Sequence, residues 1–225
     1  MVETILFDLD DTLYPEIQFV ISGFKAVSKY LSEKYDIAYD TIFDILKKDF
    51  ENGIRRKNFD ILLKKIGIEN KIVDDLVKIY RNHIPQISMY PDAKKILVKL
   101  KGKYKMGLIS DGYPTTQYNK IKVLDIKKFF DLIIINDISK GISKKNSNSF
   151  SKALYILETS SKRTIYVGDN PLKDISMPKK LGIHTVIIRR DNGIHRNVNG
   201  IEEAEYIISD LIQLLDVINS IERIR

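Results

Sequence analysis

The sequence predicts an α/β fold, with a parallel sheet covered by helices on both faces and a small helical bundle inserted after the first strand. Three observations lead there. An apolar run, Ile5-Leu6-Phe7, lies almost at the start of the chain and breaks into the acids Asp8, Asp10 and Asp11. The stretch from Pro15 to Tyr90 carries helical periodicity throughout. From Pro91 onward, strand-like apolar runs alternate with amphipathic segments. Continuous apolar strands separated by helices mark a parallel sheet, because each crossover lays a helix against one of its faces.

Taken in order, Ile5–Phe7 reads as a buried strand. Val20, Phe24, Val27 and Leu31 then recur at helical spacing, as do Phe43, Leu46 and Phe50. Phe59, Leu62, Leu63 and Ile66 repeat the pattern, followed by Ile72, Leu76, Ile79 and Tyr80. Four such stripes predict four amphipathic helices packed as a bundle. Gly53 and Gly67 fall where helices should stop, since glycine tolerates the left-handed conformation of a C-cap. A helix through Ala93, Ile96, Leu97 and Leu100 leads into a strand at Met106–Ile109. Helix Thr116–Leu124 precedes strand Leu132–Ile135, and helix Phe150–Leu157 precedes strand Ile165–Val167. One helix over about Leu172–Leu181, a strand at His184–Ile188 and a short last strand at Tyr206–Ile208 follow. Ser209 suits the N-cap of a closing helix to about Ile221. The expected domains are a core of residues 1–14 with 91–225 and a helical insert of residues 15–90.

Composition narrows the function classes. At 44% hydrophobic and 30% charged residues, the chain is ordinary for a globular protein. No window approaches the ~20 apolar residues that cross a bilayer. Acids stand where a leader peptide would need basic and then apolar residues, so a cytoplasmic protein without a membrane partner is expected. The absence of cysteine excludes disulfides, a thiolate nucleophile and Cys-bound metal. A net charge of +7 invites a nucleic-acid reading, but the 37 Lys and Arg are interleaved with 30 acids, as on solvated faces. Nucleic acid is not an expected partner; the positive excess instead helps to gather anionic substrates.

The chemistry concentrates at strand ends. Asp8 and Asp10 alternate with Leu9, so both carboxylates lean to one side of the chain. Packed at the exit of a buried strand they repel, unless a cation or proton is held there. An acidic turn has the same composition. Three later segments favour chemistry. Lys105–Gly112 ends a second run in the hydroxyl of Ser110, Lys144 and Lys145 follow the third, and Thr164–Pro171 breaks into Asp169, with Asp174 beyond it. In a parallel sheet the ligand crevice lies at the carboxyl ends of the strands, where Asp8, Ser110 and Asp169 all fall. Asn170 and Pro171 also read as the N-cap and first residue of a helix.

In order and spacing, Asp8-x-Asp10-x-Thr12, Ser110, a lysine and Gly168-Asp169 with Asp174 resemble the four-motif signature of the haloacid dehalogenase (HAD) superfamily, most of whose members are phosphatases. The resemblance runs from Ile5 to about Arg190. It implies a Rossmann-like core, a mobile cap made from the Pro15–Tyr90 insert, and a Mg²⁺-dependent phosphatase acting on a small phosphorylated metabolite through an aspartyl phosphate. Asp8 is then the nucleophile, and Asp10 protonates the leaving oxygen and deprotonates water. A like charge nearby is expected to raise the Asp10 pKa for that task. Asp11 is expected to face outward, and the Thr12 hydroxyl to tie down the loop. Ser110 and Asp111, the latter through its backbone, bind phosphate. Asp8, the Asp10 carbonyl and Asp169 hold Mg²⁺, with Asp174 behind them or in place of Asp169.

The family's Lys-Pro-x-Pro-x-x-Phe pattern corresponds to Lys144–Phe150 with both prolines missing. The register of Phe150, Ala153 and Leu154 points to Lys144, with Lys145 as the alternative. Tyr14, Arg55, Arg56 and Lys57 are the first candidates for specificity. A phosphomutase and a non-catalytic module that binds a phospho-ligand are the alternatives. Haloalkanoate dehalogenation is disfavoured because that branch needs neither the second aspartate nor the metal. A phosphorylation receiver is disfavoured because it lacks a long helical insert. The substrate and the oligomeric state are left open.

Overall fold

Six strands pair in parallel in the order β3-β2-β1-β4-β5-β6: β1 (Thr4–Phe7), β2 (Lys105–Gly112), β3 (Leu132–Asp137), β4 (Thr164–Gly168), β5 (His184–Ile188) and β6 (Tyr206–Ile208). The computed structural model describes residues 1–200 and 203–223. Every residue of β1 is buried, as expected of a central strand flanked by β2 and β4. The sheet grows to one side of β1 through β2 and β3 and to the other through β4, β5 and β6, so β1 sits at a topological switch point. Leu6, Ile109 and Tyr166 pack one face against Phe150, Ala153 and Leu157, on and just after α7 (Ser149–Ile156).

Two compact units are formed, Met1–Ile17 with Ile87–Arg225, and Gln18–Gln86. The second unit comprises most of α1 (Glu16–Tyr35), with α2 (Tyr39–Glu51), α3 (Asn58–Lys65) and α4 (Val73–Asn82). Phe19 and Phe59 set their rings edge-on to Tyr80 at centroid distances of 5.4 and 5.7 Å. Gly53 and Gly67, at φ +85° and +73°, stand just past the ends of α2 and α3. The first unit adds α5 (Pro91–Leu100), α6 (Pro114–Val123) and α7, then α8 (Pro171–Asp174), α9 (Ser176–Leu181) and α10 (Leu214–Arg223). No described helix is long and apolar enough to cross a membrane.

Three local expectations are corrected. The single helix expected over Leu172–Leu181 is broken at Ile175 into α8 and α9. Pro178 explains the break, since it has no N–H to offer the carbonyl of Asp174 and its ring would clash there. Strand β2 runs on to Gly112, so Ser110 lies inside it. The closing segment is capped by Asp210 and not by Ser209. The Asp210 side chain accepts from the Ile212 N–H at 2.6 Å, in a capping box with Gln213 that opens a short 3₁₀ turn before α10.

Candidate active site

Hydrogen bonding between β1 and β4 continues past the end of the strand, where the Asp8 N–H donates to the Val167 carbonyl at 2.8 Å. This holds the Asp8 carboxylate 2.9 Å from the ammonium of Lys144, which is itself buried. Lys145 is exposed. The Lys144 backbone N–H donates to Asp111 Oδ1 at 2.8 Å, and Asn136 Nδ2 donates to the same oxygen at 2.9 Å. The Asp111 side chain thus anchors the lysine loop to the end of β2, a part its place in the sequence did not suggest. Lys144 Nζ also lies 2.5 Å from Asp174 Oδ1 and 2.9 Å from the Tyr166 hydroxyl, which donates to Asp174 at 2.9 Å. Asp174 Oδ2 accepts from the Asn170 N–H. Its carboxyl fills the space beside Gly168, where any Cβ would collide with it. Asn170 and Pro171 occupy the N-cap and first helical position of α8, as expected.

Asp169 is buried at the exit of β4, and its Oδ2 has no hydrogen-bond partner among the described residues. Asp8, Asp169 and Asp174 each offer a carboxylate oxygen, all within 4.8 Å of one another. Burial pushes the Asp8 carboxyl up to about 7, against the pull of Lys144. Burial and the charges of Asp8 and Asp174 hold the Asp169 carboxyl well above the usual carboxylate range. A cluster of hard oxygens with an unsatisfied member and uncompensated charge fits a small divalent cation. Asp174 already accepts from three donors, which leaves Asp8 and Asp169 as the better-placed ligands.

Asp10 faces a different set of groups. Its Oδ1 receives Lys120 Nζ at 2.6 Å and the Tyr14 hydroxyl, and its Oδ2 receives Gln117 Nε2 at 2.9 Å. Gln117 Nε2 also donates to Ser110 Oγ at 2.6 Å. Gln117 and Lys120 stand three apart on α6, so they share its inward face. The expected upward pKa shift of Asp10 is overturned. Burial does push it up, but the Lys120 charge and the hydrogen bonds of Lys120, Tyr14 and Gln117 outweigh that and bring it below the ordinary value. The neighbouring lysine was missed from the sequence, although a polar pair on the buried stripe of α6 was the available signal.

Asp11 and Thr12 also depart from expectation. Asp11 does not face outward: it is fully buried at φ +51°, and its two oxygens accept from the Glu16 N–H at 2.8 Å and the Ile194 N–H at 2.6 Å. The Thr12 hydroxyl finds no partner, and it is the Thr12 carbonyl that ties the loop, accepting from Arg190 Nη2 at 2.9 Å. Arg190 is held in turn by Asp92 at 2.7 Å. Tyr14 is buried with its hydroxyl committed to Asp10, which removes it from the specificity candidates. In the helical unit, Arg55 lies over the Phe50 ring at 3.7 Å, and Arg56 and Lys57 are exposed.

At the carboxyl end of the sheet these groups surround a cavity of about 90 Å³, whose lining includes Asp8, Asp10, Asp111, Lys144 and Asp169. The chain is 32% identical to a glyceraldehyde 3-phosphate phosphatase of Methanocaldococcus jannaschii, over 99% of this chain and 100% of that one. It is 28% identical to the protein of the same name from Pyrococcus furiosus, over 96% and 93% of the two chains. The fold matches the HAD-hydrolase YfnB of Bacillus subtilis, solved bound to magnesium, with a TM-score of 0.69 at 22% identity over 97% and 99% of the chains. The model of the haloacid dehalogenase-like hydrolase family matches residues 5–188, and the chain belongs to that family.

Proposed function

We propose that the chain is a Mg²⁺-dependent phosphatase that hydrolyses a small soluble phosphate monoester through an aspartyl phosphate on Asp8. The observation that carries this reading is a buried carboxylate, Asp8, set 2.9 Å from a buried lysine and clustered with the unsatisfied Asp169. A phosphate dianion repels an anionic nucleophile, so catalysis needs positioned positive charge more than unusual reactivity. In the first half-reaction an Asp8 oxygen bonds to phosphorus and the ester P–O bond breaks. Asp10, which Lys120 and its companions hold ionised in the free site, takes up a proton from solvent when the phosphate's negative charge arrives beside it and passes that proton to the leaving oxygen. In the second half Asp10, now a carboxylate, takes a proton from water as that oxygen attacks phosphorus, and the acyl-phosphate P–O bond breaks to return Asp8 and free phosphate. Lys144 offsets the repulsion between Asp8 and the phosphate, and Ser110 with the backbone at Asp111 takes phosphate oxygens.

Asp8, Asp169 and the Asp10 carbonyl would hold Mg²⁺, with Asp174 keeping Lys144 in place behind them. When bound, the cation supplies charge that stabilises the transferring phosphoryl group. The helical unit Gln18–Gln86 interrupts the core chain as a cap would, and it is assigned that part here. The names of the relatives make glyceraldehyde 3-phosphate the first substrate to try. The test is phosphate release from p-nitrophenyl phosphate and from a panel of small phosphorylated metabolites, with Mg²⁺ and with EDTA. Release that needs Mg²⁺ is expected. Isomerisation of a sugar phosphate without release would mean a phosphomutase, and tight binding without turnover would mean a silent binding module.

A further inference from the structure

The side-chain amide of Gln117 touches both the proton carrier and the phosphate-holding hydroxyl of the proposed mechanism. Gln117 lies on α6, is 1% exposed, and its Nε2 donates to Asp10 Oδ2 at 2.9 Å and to Ser110 Oγ at 2.6 Å. The partners fix which end of the amide points there. A carboxylate only accepts, so the end that faces Asp10 is the NH₂, and both of its hydrogens are committed. Ser110 is then the acceptor in its own contact, and its O–H is left to donate elsewhere. The two oxygens of Asp10 are also unequal. Oδ1 receives the Lys120 ammonium and the Tyr14 hydroxyl, whereas Oδ2 receives only Gln117 among the described residues. Oδ2 is therefore the oxygen with room for a proton, and it stands no more than two hydrogen bonds from Ser110 Oγ. Gly112 leaves space for this arrangement, because a Cβ there would come within 2.7 Å of Gln117 Cγ and Cδ.

We propose that Gln117 is a positioning residue that holds Asp10 Oδ2 and the Ser110 hydroxyl at one fixed spacing, so that proton transfer and phosphate binding act on two oxygens of the same phosphorus. The assignment rests on the phosphatase reading and adds to it a residue on which both tasks depend. The leaving oxygen and the oxygen that Ser110 holds are bonded to one phosphorus atom, so their separation is set by the substrate. A shift of either protein group relative to the other then loses one of the two contacts. Proton transfer needs its partners within hydrogen-bond reach, and a donor aimed in advance at a phosphate oxygen costs no reorganisation when the charge moves. Gln117 serves both needs through one rigid, planar NH₂. It also keeps the Ser110 hydrogen free for phosphate, which a side chain that accepted from Ser110 would not.

The experiment reads the two tasks separately in wild type, Gln117→Met, Ser110→Ala and the double variant, at saturating Mg²⁺. The ratio of kcat/KM for phenyl phosphate to that for p-nitrophenyl phosphate reports the acid, since the nitrophenyl group leaves with little help from one. The inhibition constant of inorganic phosphate reports the grip on phosphate. Gln117→Met keeps the length of the side chain and removes its donors. It is expected to lower the ratio about fivefold and to raise the inhibition constant about tenfold, the worth of one hydrogen bond. Placed on Ser110→Ala, it should still lower the ratio but raise the inhibition constant by no more than about twofold further, because its route to phosphate is gone. An unchanged ratio would overturn the proposal, and so would an inhibition constant that rises by the same factor with and without the Ser110 hydroxyl. Gly112→Ala, which presses on the amide from β2, should reproduce both changes, and a folded Gly112→Ala protein with neither change would overturn the proposal even where Gln117→Met does not fold. Wild-type protein that releases phosphate from neither ester would overturn the phosphatase reading itself, whereas wild-type turnover with both readouts unmoved in the variants would overturn only the part given to Gln117.

Discussion

Asp8 and Asp10 stand two residues apart on one loop, yet their surroundings pull in opposite directions. Asp8 sits on the β4 side of the site among other carboxylates, and burial raises it to about 7 despite Lys144. Asp10 sits on the α6 side among three donors, and Lys120 with its companions brings it below the ordinary value. The chain supplies a complete counter-charge to one carboxylate and an incomplete one to the other. Asp8 shares Lys144 with Asp174, and Asp169 has an oxygen with nothing to accept from. The Asp10 side is finished as folded, whereas the Asp8 side carries more carboxylates than the one lysine it shares can neutralise.

Replacing Asp8 should break this contrast most severely. Asp8→Asn is expected to cost about 10⁴-fold or more in kcat and to abolish any phosphoenzyme trapped by rapid quench, since the nucleophile itself is gone. The same variant bears on stability. Asp8 rises from 3.8 to about 7 on folding in the absence of cation. A raised pKa contributes stability that is full below 3.8 and is lost as pH climbs through 7. Melting temperature in EDTA should therefore fall over that window in wild type and fall less in Asp8→Asn. Equal slopes would mean that Asp8 ionises freely without metal.

Asp169→Asn tests the unfinished side directly. It should raise the Mg²⁺ concentration for half-maximal rate by at least about 100-fold. It should also raise the melting temperature in EDTA by about 2–4 °C, because it removes an uncompensated buried carboxylate worth on the order of 1 kcal/mol. An unshifted Mg²⁺ requirement would transfer the ligand role to Asp174. Lys144→Ala should lower kcat/KM on the order of 10²–10³-fold, as does deleting a preorganised charge-stabilising donor.

On the finished side, Lys120→Met removes the charge that lowers the Asp10 pKa, so the pH optimum of kcat should move upward on an alkyl phosphate and distinctly less on p-nitrophenyl phosphate, whose leaving group needs little help from an acid. A restored optimum in Lys120→Arg would tie the effect to the charge on Asp10. An optimum unmoved on both substrates would reduce Lys120 to a packing role. Lys145→Ala should change kcat/KM by no more than about twofold, since an exposed lysine adds only screened attraction.

Much of the architecture was legible because burial writes itself into strands. The runs at Ile5, Met106, Leu132, Ile165 and His184 are apolar on both faces, and all five became neighbours in one sheet. The four insert helices were equally plain from their stripes. What failed was local competition. Pro178 split a helix whose apolar pattern ran straight through it, and Asp210 displaced Ser209 as a cap. In the site, Asp8, Asp10, Ser110 and Asp169 were marked by strand endings and spacing, and Lys144 by the register of the family pattern. Lys120, Gln117 and the second use of Asp11 were not. Their partners lie far off in sequence, Lys120 being 110 positions from Asp10 and Ile194 183 positions from Asp11. A carboxylate that answers two distant backbone N–H groups looks the same in sequence as one left in solvent.

The position of β1 has a consequence for how the molecule is made. β1 leaves the ribosome before the other strands of the sheet, but its neighbours are Lys105–Leu108 and Thr164–Val167. Gln18–Gln86 is one continuous stretch and has its partners at hand well before the second of those segments exists. During synthesis β1 is therefore without its sheet while the helical unit assembles from the chain that follows it. Long-range parallel pairing of this kind is slow, because loop closure must come before any reward from contact. The strand that leads into Asp8 and Asp10 is made before its neighbours and is among the last enclosed, and folding intermediates should be sought with β1 still open to solvent.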